Sequence, residues 1–230
     1  MFHVNNKQSR LIVLQRIELC SNFLKKIRKL FGRAFFSNFI TKFFLNSDTI
    51  KKSYYNRMFE EFKTFEKYID HNDKNILSIG GGMGGLEIIL NNNCEVNFFD
   101  FIERNFVSRK VVYGWSKNNS EAYNNINIQA EFLVKNGLPK TKFKVFDFDN
   151  DTLPSKKFDT VISLYSLDYH YDFNQYAKYL KDNTHNKSKI IFDTVRPDFF
   201  KDIFKEVIIL SETTKRVHSS KRLLCRNFLN

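Results

Sequence analysis

Between residues 76 and 193 short apolar runs alternate with stretches of helical period, and each run closes on glycine, an acid or a polar cluster. Ile76, Leu77 and Ile79 form the first run, and the turn Gly80-Gly-Gly-Met-Gly-Gly85 follows it directly. Leu86, Ile88, Ile89 and Leu90 then supply the apolar face of a helix. Cys94 to Asp100 reads as a second strand ending in an acid, and the run opening at Phe143-Lys-Val-Phe-Asp147 as a third with acids at its end. A fourth strand opens at Phe158-Asp159 and closes in polar and aromatic residues up to His170, and Lys189 to Asp193 is a fifth. The alternation predicts an α/β protein with a doubly wound, largely parallel sheet. Asp198 to Lys205 reads as a short helix, and Val207–Leu210 with Lys221–Cys225 as a closing antiparallel hairpin.

Two further segments have helical spacing. Tyr55, Phe59, Phe62, Phe65 or Glu66, and Ile69 line one face of a helix over 54–69, which His71-Asn-Asp73 ends. A long connection from Phe101 to Thr141 contains Tyr113-Gly-Trp115 and a helix from about Ser120 to Asn136 that Gly137 can terminate. Ahead of both lies a basic aromatic arm, residues 1–52, with the remaining domain at 53–230. Phe23, Ile27, Leu30 and Phe31 make a stripe on the arm, with Lys25, Lys26, Arg28 and Lys29 between them.

The charge balance sharpens the picture of that arm. The chain of 230 residues carries 37 Lys and Arg against 25 Asp and Glu, a net +12, and residues 1–48 alone hold nine basic and two acidic residues. Such a segment suits a helical cap over the substrate cleft, or a basic amphipathic helix lying on an anionic membrane. Nucleic acid is disfavoured, because no recognisable module for it accompanies the charge. No apolar run approaches the roughly 20 residues of a spanning helix, and Met1–Lys7 lacks the order of a secretion signal. Cys20, Cys94 and Cys225 are odd in number, far apart and without metal spacing, so a reducing compartment and no metal site are expected. These features predict a cytoplasmic protein, with peripheral membrane contact through the arm as one of its options.

The glycine turn carries the chemistry. Gly80, Gly82 and Gly84 can take positive φ and lack a Cβ, so a nucleotide-like ligand can lie on the main chain at a helix N-terminus. The same residues satisfy two patterns: Gly80-x-Gly82-x-Gly84, and the dinucleotide fingerprint Gly80-x-Gly82-x-x-Gly85. An acid closing the second strand, Asp100, can accept ribose hydroxyls in either case.

From Ile76 to its end the chain resembles the class I S-adenosylmethionine (SAM) dependent methyltransferases, whose sheet is Rossmann-like. The resemblance rests on the glycine turn, on Asp100, on the acids before Leu153-Pro154 and on the Phe158-Asp159 opening of the fourth strand. It implies SAM as cofactor, held by Ser78, Gly80, Gly82, Gly84, Asp100 and Asp149, with Asp147 the second choice beside the adenine. The family's usual acid two residues before the first glycine is replaced by Ser78, which brings no charge. A looser similarity to putative sugar O-methyltransferases rests on His170-Tyr171 and on the Tyr123-Asn-Asn stretch. It implies a small hydroxylated acceptor, a saccharide among the choices. His170 is the candidate general base, since an imidazole titrates near neutrality, and Asp168 either orients it or acts itself. Asp193 and Arg196 end the fifth strand, where they suit a polar substrate or a salt bridge. Two alternatives stand beside methyl transfer: a dinucleotide-dependent oxidoreductase, and a non-catalytic SAM-binding domain at a membrane or in a complex, for which Ser78 is the motive.

Overall fold

Strands buried on both faces need near-continuous apolar runs, and the runs between residues 75 and 194 build the parallel centre of one sheet. The computed structural model describes residues 1–108, 122–211 and 220–229. Its strands are β1 Asn75–Ile79, β2 Phe98–Glu103, β3 Phe143–Asp147, β4 Phe158–Ser163, β5 Thr184–Thr194, β6 Phe204–Ser211 and β7 Lys221–Phe228, and they form one sheet in the order β3-β2-β1-β4-β5-β7-β6. β1 to β5 run parallel, and β7 runs antiparallel to both β5 and β6. The expected hairpin therefore exists with a twist in its order: its second strand inserts beside β5 and leaves β6 at the edge. Chain order reverses between β1 and β4, so the loops leaving these two strands part and open a crevice at the strands' carboxyl ends.

Seven helices complete the described chain: α1 Asn6–Gln15, α2 Asn22–Phe35, α3 Thr41–Phe43, α4 Ser47–Lys63, α5 Gly85–Asn93, α6 Ile126–Lys135 and α7 Asn174–Asn183. One face of the sheet packs with α1, α4, α5 and α6 around Leu11, Ile12, Phe62, Ile76, Leu90, Phe101 and Phe132. The other packs with α7 around Leu77, Phe158, Leu180, Phe192 and Phe200. Side chains alternate between these two cores along each strand, so Ser78 faces the α5 side while Leu77 and Ile79 face α7.

Several expected elements move. The second strand starts at Phe98, not Cys94, because its register is set by β1, with Asn75 opposite Phe98 and Ile79 opposite Ile102. Asp100 consequently lies inside the strand, and Glu103 ends it. The helix after the long connection begins at Ile126, because Asn125 caps it, accepting from the backbone N–H groups of Asn127 and Ile128. Gly137 ends it at φ 93°, while Tyr113-Gly-Trp115 and residues 120–121 lie outside the described residues. The short helix near residue 200 is a 3-10 turn, Pro197–Asp202. On α4 the inward face runs through Ile50, Tyr54, Met58, Glu61 and Phe62, and Phe59 is left 36% exposed.

The arm divides in two. α1, opened by a capping box between Asn5 and Gln8, buries Leu11, Ile12 and Val13 in the sheet's own core. α2 beyond it projects: Phe23, Leu30 and Phe31 are exposed.

Arg222 of β7 fastens α4 to the sheet. Fully buried, its guanidinium makes two bonds to Asp193 of β5, at 3.0 and 2.9 Å, and donates to Thr64 Oγ1 at 2.7 Å. The Glu61 carboxylate of α4 lies against it as well. Burial works against the charged guanidinium, yet the neighbouring Asp193 and Glu61 raise its pKa further. Replacing one member of such a group strands the others. Arg222→Met is expected to cost about 3–5 kcal/mol, read as a lower urea midpoint at unchanged slope; a midpoint shift equal to that of an exposed control such as Lys205→Met would refute the account.

Candidate active site

The glycine turn has the backbone its sequence allows. Gly80, Gly82 and Gly84 sit at φ 63°, 66° and 80°, a region that L-residues rarely enter. Each is also closely approached. A Cβ on Gly80 would stand 2.0 Å from Ser166 Oγ of the loop after β4, one on Gly82 2.5 Å from Gln15 Oε1 at the end of α1, and one on Gly84 2.6 Å from Leu133 of α6. The Gly85 N–H, at the start of α5, donates to Tyr54 Oη at 3.1 Å. Four elements thus meet at the turn, and the loops after β1 and β4 are stitched together by Ser163 Oγ, which donates to Ile79 O and accepts from Leu167 N–H.

Two buried carboxylates lie against the turn, and one of them, Glu87, was not among the residues the sequence nominated. Glu103, at the carboxyl end of β2, accepts the Gly82 N–H at 2.8 Å. Asn124 spans the same region, donating to Gly82 O and to Gln129 Oε1. Glu87 of α5 turns inward under Gly81, and Ser78 Oγ donates to its Oε1 at 2.5 Å. Ser78 therefore brings no charge of its own but fixes a carboxylate delivered by the helix to the place where the resemblance expects one. Oε2 of Glu87 is buried and has no hydrogen-bond partner among the described residues. Burial raises the Glu87 carboxyl to about 7, against the opposing Ser78 hydrogen bond and Arg16 charge. Burial raises Glu103 to about 8, against the Gly82 and Asn124 hydrogen bonds. The sequence signal for Glu87 was an acid on an otherwise apolar face, between Leu86 and Ile88.

Asp100 sits mid-strand on the opposite face of β2, 3% exposed and ion-paired with Lys156. The structure thus brings Glu103, not Asp100, to the glycine turn, because the β1–β2 register carries the strand three residues further. Asp149 stands in the turn after β3, its carboxylate 3.5 Å from Arg104. Arg104 in turn lies over the Phe148 and Tyr171 rings. Asp147 is used within that turn, accepting from Asp149 N–H and Asn150 Nδ2.

The loop after β4 holds two strained residues, Tyr165 and Asp168, at φ 58° and 59°. Clustered outliers of this kind mark functional loops. Tyr165 lies between the guanidinium groups of Arg16 and Arg222, 5.2 and 6.0 Å from its ring centre. Asp168 is fully buried and its carboxylate is taken up by Thr194 Oγ1 at 2.5 Å and by Arg196 at 2.6 Å, so Arg196 and Asp168 form a structural clamp between the loops after β4 and β5. His170 is exposed at the outer end of this loop, its N–H bonded to Ser166 O and its ring edge-on to Tyr169. Asp193, for which the sequence left a polar substrate or a salt bridge open, is taken up by Arg222 in a buried ion pair.

Turn, carboxylates and loops gather at the carboxyl ends of the central strands of a sheet with an antiparallel β7 between β5 and β6, which is the fold of the class I SAM-dependent methyltransferases and not the all-parallel sheet of a dinucleotide enzyme. No protein-family model matches the sequence, and no curated protein matches it either. Solved structures match it in fold. The StiE O-MT, residues 961–1257, aligns with 79% of this chain and 78% of its own at a TM-score of 0.50 and 12% identity. The ribosomal protein L11 methylase from Lactobacillus delbrueckii subsp. bulgaricus aligns with 80% of this chain and 81% of its own, at 0.45 and 12%. For the precorrin-6y C5,15-methyltransferase from Geobacter metallireducens the shares are 71% and 85%, at 0.44 and 14%.

The two raised carboxyls set a pH dependence. Each holds a proton in the folded chain over a range where the unfolded chain has lost it. Their contribution to stability is therefore complete below the ordinary glutamate range and is lost as pH rises through about 7 for Glu87 and about 8 for Glu103. The melting temperature of the unliganded protein is expected to fall between about pH 5 and 9, and Glu87→Gln to flatten the lower half of that fall. A parent protein with one melting temperature across the range would contradict the assignment.

Proposed function

We propose that the protein is a SAM-dependent methyltransferase acting on oxygen of a small hydroxylated acceptor, a saccharide being the favoured class, in the cytoplasm. The observation that carries this reading is the meeting of the glycine turn with Glu103 and Glu87 at the switch point of a β3-β2-β1-β4-β5-β7-β6 sheet. The residues suit SAM. Gly80, Gly82 and Gly84 keep side chains off the main chain of the turn, Glu103 offers the ribose hydroxyls an acceptor, Asp149 and Phe148 offer the adenine an acceptor and a ring, and the unpartnered Glu87 Oε2 offers the ammonium group an acceptor whose ionised form that charge would favour. When bound, SAM supplies a methyl carbon already activated by the sulfonium.

What remains for the chain is to position the acceptor and take its proton. His170 is the proposed base: it stands at the outer end of the loop after β4, the loop that touches the glycine turn through Ser166, and an imidazole is suited to taking a proton near neutrality. Asp168 supports this loop by holding Arg196 and Thr194 in place of touching the acceptor. Tyr171, next to His170, offers a ring and a hydroxyl to a sugar face.

Calorimetric titration with SAM, S-adenosylhomocysteine and NAD tests the cofactor, and transfer of label from SAM to saccharides and nucleotide sugars tests the acceptor. Binding of NAD in place of SAM overturns the proposal. Glu103→Ala is expected to weaken S-adenosylhomocysteine by about 1–3 kcal/mol, while Asp100→Ala leaves it within experimental error; the reverse order would return the ribose contact to Asp100. His170→Ala is expected to keep cofactor affinity and lower turnover by roughly 10²–10⁴-fold, and unchanged turnover would remove His170 from the reaction.

A further inference from the structure

The segment from α2 to α3 carries more apolar surface than the protein covers. On the inner side Phe36 and Ile40 are buried and Leu24 and Ile27 are partly so, all against the main core. On the outer face Phe23, Leu30, Phe31 and Phe43 are 60–77% exposed, and Phe35 and Phe39 more than 40%. Four of these rings form a continuous ladder, Phe31 on Phe35 on Phe39 on Phe43, with centres 5.4, 5.3 and 5.4 Å apart. The chain bends at Gly32, at φ 81° and ψ 168°, and passes through a π turn at Phe36–Ile40. The bend and the wider turn keep the phenylalanines on one outer side. A soluble monomer rarely leaves so large a contiguous apolar patch in water.

Charge decides what covers it. Residues 22–44 contain Lys25, Lys26, Arg28, Lys29, Arg33 and Lys42 and no acid. At 100° per residue the cations of α2 fall beside and behind the exposed Phe23, Leu30 and Phe31. A second copy of the chain would cover the rings but bring two cationic surfaces together. A nucleic acid would neutralise the cations but leave the ladder wet. An anionic bilayer satisfies both, with rings in the acyl boundary and lysines at the phosphates. No helix among the described residues is long and apolar enough to cross a membrane, so the segment lies in the interface plane.

We propose that α2, the π turn and α3 form a peripheral docking face for anionic lipid membranes. The inference is independent of the methyl-transfer reading, since no residue of the face touches the glycine turn. The test uses the full chain and sedimentation with phosphatidylcholine vesicles, with and without phosphatidylserine. The parent is expected to bind the phosphatidylserine vesicles at least about tenfold more tightly than the neutral ones, with binding weakened by salt. A variant with Phe31, Phe35, Phe39 and Phe43 all changed to Ser alters only exposed side chains and should keep its circular dichroism while losing vesicle binding by at least about tenfold. A Lys25→Gln, Lys26→Gln, Lys29→Gln variant should lose the preference for phosphatidylserine. A parent indifferent to vesicles overturns the proposal, as do vesicle binding unchanged by the four-Ser variant, a dimer that the variant dissolves without any vesicle effect, and binding confined to nucleic acid.

Discussion

Crowding around the backbone of residues 80–85 is the constraint on which the rest of the molecule depends. Ser166, Gln15, Leu133 and Tyr54 approach the turn from the β4 loop, α1, α6 and α4, leaving no room for a Cβ at Gly80, Gly82 or Gly84. The positive φ values there aim the N–H of Gly82 at Glu103 and start α5 at Gly85. One tight turn thus sets where the β4 loop sits and where α1 ends, and it receives Glu103 from β2.

Burial of charge near this turn follows a division of labour. Arg222, Asp193 and Glu61 compensate one another in the interior and so lock α4, β5 and β7 together; Asp168 and Arg196 do the same for the loops after β4 and β5. Glu87 and Glu103 are different. Their partners are a serine hydroxyl, backbone N–H groups and an asparagine, which satisfy geometry without matching charge. Carboxyls raised toward neutrality by desolvation inside a cleft are a common mark of a site that awaits a charged or polar ligand. The same desolvation lowers the stability of the empty site, which is how binding and folding become coupled at the turn.

The arm shows how one segment serves two environments. α1 belongs to the core in every physical sense: its apolar residues are among those packed on the sheet, and Gln15 and Arg16 reach the turn and Tyr165. A few residues later α2 faces outward with phenylalanines between lysines. The switch comes at 16–21, where α1 ends and a 3-10 turn redirects the chain, so the helix that closes the cleft and the helix that meets the outside are joined by a short, ordered connection.

The sequence by itself determined the strand and helix alternation, the glycine conformations, the glycine stop of α6, and the amphipathic basic character of α2. These are properties of φ preferences and of periodicity, which act over a few residues. Tertiary structure alone decided the rest. Asp100 and Glu103 are both acids in one apolar strand, and only pairing with β1 chose which of them reaches the crevice. Ser78 looked like a lost charge until α5 folded back to bring Glu87 against it, nine residues away along the chain and 2.5 Å in space. The inward face of α4 is shifted by one residue from its aromatic stripe, because Tyr54 binds the Gly85 N–H and Glu61 meets Arg222. Such choices rest on contacts between distant residues, and local pattern carries no record of them.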